Sequence, residues 1–542
     1  MSAGPKRLGG EVVARSLAAL GADTVFGLPG VHALAMWEGL RRVGLRGVGL
    51  RTELSATFAA DGWSRVTGRP APVLLSTGPG ALNSLTGIME AASSHVPVVA
   101  VISQIPSREL GRHGGWLHEL PDQLGSFAPL VKWTARARSA EAVPGILAEA
   151  WRRAATPPAG PVAVEIPVDV LTGETDVVVP DRLDGSPAPL PLPSAPELDA
   201  VAGLLARAEH PVLWAGGGVI RSGAWGELVE LAERLGAPVV TTYMGRGAVP
   251  SGHPLHAGSG CDEGAFERLV GGADVLLAVG TELGAETTRQ HTLRIPGTLV
   301  HLDCDAGRIG TTYPAVPLVG DAGAVLAALL ERVSGGSAPA GWGAGAAAEV
   351  RRQVDAGLAA QGRSLERGLL ATVSRALPPD AVESYDMTIL GYWAAAHQRP
   401  TAPRRFLYPL GSGTLGYAWP AALGASLALP GAKVLAVVGD GGLSYGLAEL
   451  ATARQQGIDV ALLVIDDGGY GILREYQSDA FGATHAVDLA GPDLVALAAA
   501  AGLPVRDATP DSLADDLTWA LEVSGPAVVV VRTHLVAAQP TP

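Results

Sequence analysis

The chain has 542 residues, enough for roughly three domains of about 150 to 200 residues each. Its net charge of −14 disfavours a nucleic acid or an anionic membrane as partner, and its low charged fraction of 17% favours burial of uncharged surface between subunits. Two cysteines, Cys261 and Cys304, exclude a disulfide framework; since the chain shows neither a signal-peptide pattern nor an apolar run of about 18 residues, we expect a soluble, cytoplasmic protein.

Two breaks divide the chain into three segments in which strand and helix patterns alternate. Pro180 to Pro196 is rich in proline and predicts an extended connector, and Ser334 to Ala348 is mostly Gly, Ala and Ser and predicts a surface linker. We therefore predict an α/β protein of three consecutive doubly wound parallel-sheet domains, at residues 1–179, 196–333 and 349–542. The predicted strands are Thr24–Phe26, Val73–Leu75, Val98–Ile102, Pro211–Trp214, Val275–Val279, Leu299–Leu302, Val434–Val438, Val460–Ile465 and Ala527–Val531.

The first segment carries a glutamate at the head of a predicted helix. Glu53 opens a stretch of small and apolar residues that ends at Arg65, and on position alone it could simply favour the helix N-terminus. Downstream, a Gly-Pro-Gly-Ala-Leu-Asn turn ends at Asn83. Three histidines, at positions 32, 113 and 118, are candidate proton donors, with a structural role as an equal alternative for each.

The central segment contains a glycine run directly after a predicted strand. Gly216-Gly217-Gly218 suggests a phosphate-binding turn, but the run lacks both the Gly-x-Gly-x-x-Gly order and the acidic residue about 20 positions further on. The pattern therefore disfavours a dinucleotide in this segment.

The third segment contains two acidic clusters whose spacing in sequence fits one strand-helix-strand unit. Asp440 follows the apolar strand in Gly-Asp-Gly, and Asp467 lies 27 residues further on, with a crossover helix predicted over Leu447 to Gln456. A strand, helix and strand of this length bring both carboxylates to one edge of a parallel sheet. Magnesium prefers such oxygen ligands and often bridges phosphates, while Gly441 and Gly442 leave backbone amides free to approach them. Gly-Asp-Gly alone is a common turn; paired with the second cluster, it predicts a magnesium-diphosphate site.

These motifs resemble those of the thiamine diphosphate enzymes of the acetolactate synthase and 2-oxo acid decarboxylase group, over nearly the whole chain. By that resemblance Asp440, Asp467 and the Gly469 carbonyl bind Mg²⁺, and Gly441 and Gly442 contact the diphosphate. The family more often has Asn at the position of Asp467. The extra negative charge beside a diphosphate predicts weaker cofactor binding or an altered metal preference.

The resemblance also implies the residues that activate the cofactor. Glu53 matches the glutamate that hydrogen-bonds the pyrimidine ring and promotes loss of the C2 proton, although Thr52 stands where the family usually has His. We expect an apolar neighbourhood to keep a proton on Glu53. Asn83 matches a turn that contacts cofactor and substrate. The loop from Gly411 resembles the one whose Leu415 wedges between the cofactor rings and whose Gly413 carbonyl accepts from the 4′-amino group.

The residues implied to face the substrate favour a decarboxylase. His118 lies where the synthases have Phe-Gln-Glu and is implied to point at the thiazolium ring, while Ile389 and Gly391 replace synthase glutamines. Glu282 replaces an arginine that holds a non-catalytic FAD in the synthases, which argues against a flavin. The resemblance implies decarboxylation of a 2-oxo acid through an ylide and an enamine, with release of an aldehyde.

Two alternatives stay open. In the first, the enamine attacks a second 2-oxo acid, as in acetolactate synthase; in the second, the chain is a catalytically silent regulatory paralogue that binds the cofactor. Glu53 and the metal cluster lie on different domains, and in the family they come from different chains. The resemblance therefore implies a homodimer with active sites at the subunit interface, or a tetramer built from such dimers.

Overall fold

Three six-stranded parallel sheets follow one another along the chain in the computed structural model, which describes residues 7–541. The predicted α/β fold of three parallel-sheet domains is confirmed. The inner strands of each sheet are almost wholly buried on both faces, as parallel strands covered by helices should be, whereas the edge strands are partly exposed. The predicted absence of an export signal concerns the N-terminus, of which residues 1–6 lie outside the described part.

The first domain contains one such sheet and a short antiparallel pair. Its strands are β1 Arg7–Leu8, β2 Thr24–Gly27, β3 Arg46–Gly49, β4 Ala71–Leu75, β5 Val98–Gln104, β6 Thr134–Arg136, β7 Val162–Pro167 and β8 Glu174–Thr175. Its α-helices are α1 Gly9–Ala19, α2 Leu34–Val43, α3 Glu53–Thr67, α4 Pro79–Asn83, α5 Leu85–Ser93, α6 Gln123–Phe127, α7 Val143–Ala155 and α8 Val168–Thr172. The sheet order is β3-β2-β4-β5-β7-β6, and β1 pairs with β8.

The central domain has the strand order of a dinucleotide-binding fold, β11-β10-β9-β12-β13-β14. Its strands are β9 Pro211–Ala215, β10 Val239–Thr241, β11 His256–Gly258, β12 Val275–Val279, β13 Thr298–Asp303 and β14 Val316–Val319. Its helices are α9 Ala195–Arg207, α10 Gly217–Ser222, α11 Trp225–Leu235, α12 Gly264–Gly271 and α13 Ala322–Leu330.

The third domain repeats the topology of the first, with the order β16-β15-β17-β18-β20-β19. Its strands are β15 Val382–Tyr385, β16 Phe406–Leu407, β17 Val434–Gly439, β18 Val460–Asp466, β19 Val505–Ala508 and β20 Pro526–Arg532. The helices from here to the C-terminus are α14 Trp342–Ala360, α15 Ser364–Ala376, α16 Ile389–His397, α17 Ala418–Ala428, α18 Asp440–Leu443, α19 Glu449–Gln456, α20 Gly471–Phe481, α21 Leu494–Ala500 and α22 Leu513–Glu522.

The strand order reverses between β2 and β4 in the first sheet and between β15 and β17 in the third. Open α/β sheets bind ligands in the crevice at the carboxyl ends of the strands, where the order reverses. Glu53 follows β3, the edge strand next to β2. The turn at Gly78–Gly80 follows β4, and Asp440 follows β17. The topology therefore places both predicted groups of site residues where ligands are expected.

Helices α3 and α17 join the first and third domains through close backbone contact. A Cβ added at Gly62 would lie 2.1 Å from the Ala421 carbonyl oxygen, and one at Gly424 would lie 1.8 Å from the Ala59 carbonyl oxygen. Only glycine allows the two helices to approach this closely. The helix that begins at Glu53 is consequently held against the third domain.

Two predicted boundaries were wrong in detail. Helix α14 begins at Trp342, inside the linker predicted over 334–348, because the alanines there favour helix and the Trp342 indole donates to the Pro211 carbonyl oxygen at 3.2 Å. The crossover helix α19 begins at Glu449, after turns over 444–448, and not at Leu447. Residues 180–194 carry neither helix nor strand, as the proline content predicts. The domain boundaries at 179, 196, 333 and 349 stay a prediction.

Candidate active site

The first half of the candidate site surrounds Glu53. Thr52 caps helix α3 by accepting the Ser55 amide at 3.1 Å, so the Glu53 side chain starts in the first turn and is only 6% exposed. Its Oε2 accepts a hydrogen bond of 3.3 Å from the Asn83 amide. A Cβ added at Gly80 would lie 3.0 Å from its Oε1, so the turn passes close to the carboxylate. The structure therefore brings the predicted residues Glu53 and Asn83 together.

A pair of histidines lies beside the same turn. The rings of His32 and His118 meet edge to face with centroids 5.4 Å apart, and the Nδ1 atom of each is buried without a hydrogen-bond partner. A Cβ added at Gly78 would lie 2.5 Å from the His118 carbonyl oxygen, which ties His118 to the turn. Burial, and then the nearby His118, lower the pKa of His32. His113 lies on a loop and is exposed, unlike His32 and His118.

The second half of the candidate site is a cavity of about 270 Å³ in the third domain. It contains most of the predicted cofactor residues of this domain, namely Gly413, Leu415, Gly441, Gly442, Asp467 and Gly469. Ile389, which replaces a synthase glutamine, lines it as well, whereas Gly391 packs beneath: a Cβ there would lie 2.0 Å from the Asp386 carbonyl oxygen. The cavity is thus both glycine-lined and partly apolar.

The two predicted metal-binding carboxylates meet at the edge of this cavity. The backbone amides of Asp467 and Gly441 donate to Asp440, and burial followed by the negative charges of Asp467 and Asp466 raises the pKa of Asp440 to about 6. Burial also raises the pKa of Asp467, against the opposing effect of Arg474, whose Nη1 lies 3.7 Å from Asp467 Oδ2. Two half-buried carboxylates in contact favour binding of a cation.

The loop from Gly411 to Tyr417 borders the cavity and is held by buried acids. Asp386 follows β15 and accepts the Gly416 amide at 3.0 and 3.2 Å through its two carboxylate oxygens. Burial raises the pKa of Asp386 to about 6, although the backbone amides that it accepts oppose the rise. The loop carries Gly413 at φ +66 and a half-buried Leu415. Both predicted loop residues therefore face the cavity.

No residue of the first domain, within the part of the chain that the structure describes, lines this cavity; all of its lining residues lie between 386 and 535. Large apolar side chains stand exposed in both of these domains. Those of the first domain are Val31, Leu34, Leu82, Met89, Trp116 and Leu117, and those of the third are Tyr445, Leu473, Tyr476 and Phe481, of which Leu473 lines the cavity. Glu53 and Asn83 of the same chain are therefore not among the residues that line this cavity.

Comparison with known proteins agrees with this arrangement. Three family models match: the N-terminal TPP binding domain of thiamine pyrophosphate enzymes over residues 7–126, the central domain over 198–329 and the C-terminal TPP binding domain over 386–531. The chain belongs to the thiamine pyrophosphate enzyme family.

Two kinds of curated relatives are similar to the chain over nearly its whole length. The probable 2-ketoarginine decarboxylase AruI of Pseudomonas aeruginosa is 37% identical over 533 residues, covering 96% of this chain and 93% of that protein. The acetolactate synthase of Mycobacterium bovis is 34% identical over 542 residues, covering 96% and 87%. The acetolactate synthase isozyme 3 large subunit of Escherichia coli is 32% identical over 536 residues, covering 95% and 92%.

The residues of the cavity fit the metal and diphosphate of this thiamine pyrophosphate enzyme. Asp440 Oδ1 is buried without a hydrogen-bond partner, which a bound cation would satisfy. A Cβ added at Gly441 would lie 2.7 Å from the Tyr470 ring, and one at Gly442 would lie 2.8 Å from Asp386 Oδ2, so side chains are excluded from this edge. Among residues 7–541, His, Cys, Asp and Glu side chains nowhere form a metal-binding group of three. The coordination of the metal would therefore need the Gly469 carbonyl oxygen and phosphate oxygens in addition to the two carboxylates.

A second cavity, of about 440 Å³, lies where the three domains meet. Glu282 lines it; its Oε1 lies 2.8 Å from His95 Nε2, and this hydrogen bond lowers the pKa of Glu282. The glycine run after β9 serves packing, since a Cβ at Gly216 would lie 2.2 Å from the Gly280 carbonyl oxygen. The absence of a flavin from the central domain stays a prediction.

Sequence reasoning missed the residues that hold the site together. Asp386 and Glu449 are buried acids that bind backbone amides: Asp386 those of the loop, and Glu449 that of Arg51, at 3.0 Å, just before Glu53. Glu90 accepts from Ser412. The strand before Asp386 was a usable signal, because an acid at a carboxyl strand end beside the sheet's reversal point is a ligand or loop anchor. The other contacts join distant parts of the chain and leave no local pattern.

Proposed function

We propose that this enzyme decarboxylates a 2-oxo acid with thiamine diphosphate and Mg²⁺ and releases an aldehyde. The observation that carries the proposal is the meeting of Asp440 and Asp467 at a glycine-lined cavity, in a chain 37% identical to a protein named as a 2-ketoarginine decarboxylase. Bound thiamine diphosphate supplies a nucleophilic carbon and an acceptor for the electrons of the departing carboxylate.

The third domain would hold the metal and the diphosphate. Asp440, Asp467 and the Gly469 carbonyl would bind Mg²⁺, and the amides of Gly441 and Gly442 would donate to phosphate oxygens. This assignment is supported by the unpartnered Oδ1 of Asp440 and by the space that the two glycines leave. Leu415 and the Gly413 carbonyl would orient the ring system from the loop that Asp386 holds.

The first domain would supply the proton chemistry. Glu53 would hold a proton at its carboxyl group for the pyrimidine nitrogen of the cofactor, with Asn83 orienting its Oε2. His118, backed by His32, would deliver a proton to the product carbon from its ring nitrogen. Leu117, which is 62% exposed in one chain, would help to exclude water once covered.

We further propose a homodimer in which each site combines Glu53 of one chain with the cavity of the other. The support is that the cavity lining comes from residues 386–535 alone, while large apolar side chains are exposed in both the first and the third domain. Exposed apolar surface marks an interface between proteins when such side chains form a patch. Whether two dimers join into a tetramer is a question for sedimentation. We also place the enzyme in the cytoplasm, in keeping with its free cysteines.

Within residues 7–541, no helix has both the length and the apolar character needed to cross a bilayer.

Acetolactate synthase-type ligation is the second candidate, because the synthase of Mycobacterium bovis covers 96% of this chain at 34% identity. Purified protein with thiamine diphosphate and Mg²⁺ would be incubated with a panel of 2-oxo acids that includes 2-ketoarginine and pyruvate. Mass spectrometry then separates aldehydes from acetohydroxy acids. We expect aldehydes; acetohydroxy acids as the main products would establish the second candidate instead.

A silent regulatory paralogue is the third possibility, and the same assay decides it. Glu53→Gln is the matched control, since it keeps the size of the side chain and removes its acid. Turnover that is absent in both proteins across the panel would support the regulatory role. Turnover that is equal in both would remove Glu53 from the mechanism.

A further inference from the structure

The loop from Gly411 to Tyr417 is fixed at both ends, while its centre faces the cavity. At the far end, Asp386 accepts the Gly416 amide, and the Tyr417 hydroxyl donates to Asp61 Oδ1 at 2.7 Å. At the near end, Glu90 Oε2 accepts both the Ser412 amide at 2.8 Å and the Ser412 hydroxyl at 2.7 Å. Between the two ends lie the residues proposed to orient the cofactor.

Glu90 belongs to the first domain and is completely buried. Its other oxygen, Oε1, accepts from Arg65 Nη2 at 2.8 Å and from the Ser94 hydroxyl at 2.7 Å. Arg65 also binds Asp61 through Nε, at 2.6 Å, and the Tyr408 carbonyl oxygen through Nη1, at 3.1 Å. The carboxylate is thus held by one set of groups and offers its remaining oxygen to the loop alone.

A buried, fully paired carboxylate of this kind is a rigid anchor. A buried ion pair costs desolvation energy and adds little net stability over apolar packing, so its position beside a functional loop needs another explanation. Accurate placement of reacting groups does need such anchors, because a displacement of about 1 Å can cost about 100-fold in rate.

We propose that Glu90 is a positioning residue: through Ser412 it holds the loop 411–417 so that the Gly413 carbonyl and the Leu415 side chain keep their places at the cavity. The inference rests on the proposed function of that loop in orienting thiamine diphosphate. Glu90 contacts neither the cavity nor the carboxylates at its edge, so its effect on the cofactor passes through the loop.

Two serines allow a matched test, because each donates its hydroxyl to one oxygen of the same carboxylate. Ser412→Ala removes the hydroxyl bond toward the loop and leaves the bond from the Ser412 amide, and Ser94→Ala removes the hydroxyl bond on the opposite oxygen. Both variants lose one hydroxyl bond to the same buried carboxylate, so we expect both to lower Tm by about 2–4 °C. A difference in cofactor behaviour between the two variants therefore measures the effect of the loop and not a general loss of stability.

The readout is exchange of the C2 proton of thiamine diphosphate bound to the full-length protein with Mg²⁺, followed by acid quench and proton NMR. We expect exchange about tenfold slower in Ser412→Ala and within about twofold of the parent in Ser94→Ala, with the cofactor Kd of each within about threefold. Ser412→Thr keeps a hydroxyl and should restore exchange. Glu90→Gln should slow exchange, and adding Ser412→Ala to it should have no further effect.

Equal exchange in the two alanine variants would overturn the proposal, whether both match the parent or both fall. Additive effects of Glu90→Gln and Ser412→Ala would overturn it too, because the two groups would then act separately. Exchange needs no 2-oxo acid, so the comparison stands even if the parent decarboxylates nothing in the panel. Conversely, a positive panel with equal exchange leaves the proposed function intact and removes Glu90 from it.

Discussion

The carboxylate at position 467 gives the sharpest test of the metal site. The family more often has Asn there, and Asp467→Asn changes one charge at nearly constant volume. Asp440 and Asp467 are half-buried and in contact, and the negative charge of Asp467 is the second cause, after burial, of the raised pKa of Asp440. Removing that charge should therefore both ease binding of a diphosphate and lower the pKa of Asp440.

The size of the effect follows from electrostatics. Two unit charges about 4 Å apart interact by about 4 kcal/mol at an effective dielectric constant of about 20. The carboxylates are partly exposed, Arg474 lies 3.7 Å from Asp467, and the metal offsets much of the added charge. We therefore expect about 1.4 kcal/mol, or about tenfold tighter binding of thiamine diphosphate at saturating Mg²⁺.

The dependence on pH has a definite sign. A metal needs the ionised carboxylate, so cofactor affinity in the parent should fall as pH decreases through about 6, the pKa of Asp440. In Asp467→Asn this midpoint should move to lower pH. In the cofactor-free protein, the contribution of the raised pKa to stability is present below pH 3.8 and is lost as pH rises through about 6.

Titration calorimetry of thiamine diphosphate at several pH values measures both effects. Asp466→Asn is the matched control, since Asp466 is a weaker cause of the Asp440 shift and lies 3.7 Å from Arg532. It should change Kd by no more than about twofold. The reasoning is refuted if Asp467→Asn binds the cofactor like the parent, or if both variants change affinity equally.

Three further variants test the rest of the site. Glu53→Gln should lower kcat by about 10²–10⁴-fold and leave the cofactor Kd within about threefold; steady-state rates near the parent's would contradict this role. Arg65→Met strands the buried carboxylates of Asp61 and Glu90 and should lower the free energy of unfolding in urea by about 3–5 kcal/mol; a loss under about 1 kcal/mol would mean that the carboxylates find other partners. Phe481, 79% exposed at the end of the helix whose first turn lines the cavity, should lie in the dimer interface, so Phe481→Asp should shift sedimentation toward monomer without changing far-UV circular dichroism; an unchanged sedimentation coefficient would place the interface elsewhere.

Much of the fold follows from local pattern. Short β-branched runs bounded by Gly, Pro and Asp predicted strands such as Val98–Ile102 and Val460–Ile465, and both lie inside observed strands. Parallel pairing and strand-end geometry then suffice to bring Asp440 and Asp467 together, because neighbouring parallel strands end at the same sheet edge. This part of the site could be predicted because Asp440 and Asp467 follow two neighbouring strands of one sheet.

The anchors of the site were not predictable in the same way. Glu90 lies 322 positions from Ser412, and Glu449 lies 398 positions from Arg51. Such pairs depend on how two domains pack, and a single sequence carries no periodic signal for that. The prediction of a linker around Trp342 was wrong for a related reason. A run of Gly, Ala and Ser becomes helical there because the Trp342 side chain packs against the central domain.

Helix α3 connects the two kinds of contact. Its first residue is Glu53. About two and three turns later, Asp61 and Arg65 bind Tyr417 and Glu90, and through them the loop of the same chain. In the proposed dimer Glu53 faces the partner's cavity, so one rigid helix takes part in two sites at once. Gly62, in the same helix, packs closely against Ala421 of α17, the helix that directly follows the loop. A substitution that displaces α3 should therefore impair the proton chemistry of one site and the placement of the loop in the other.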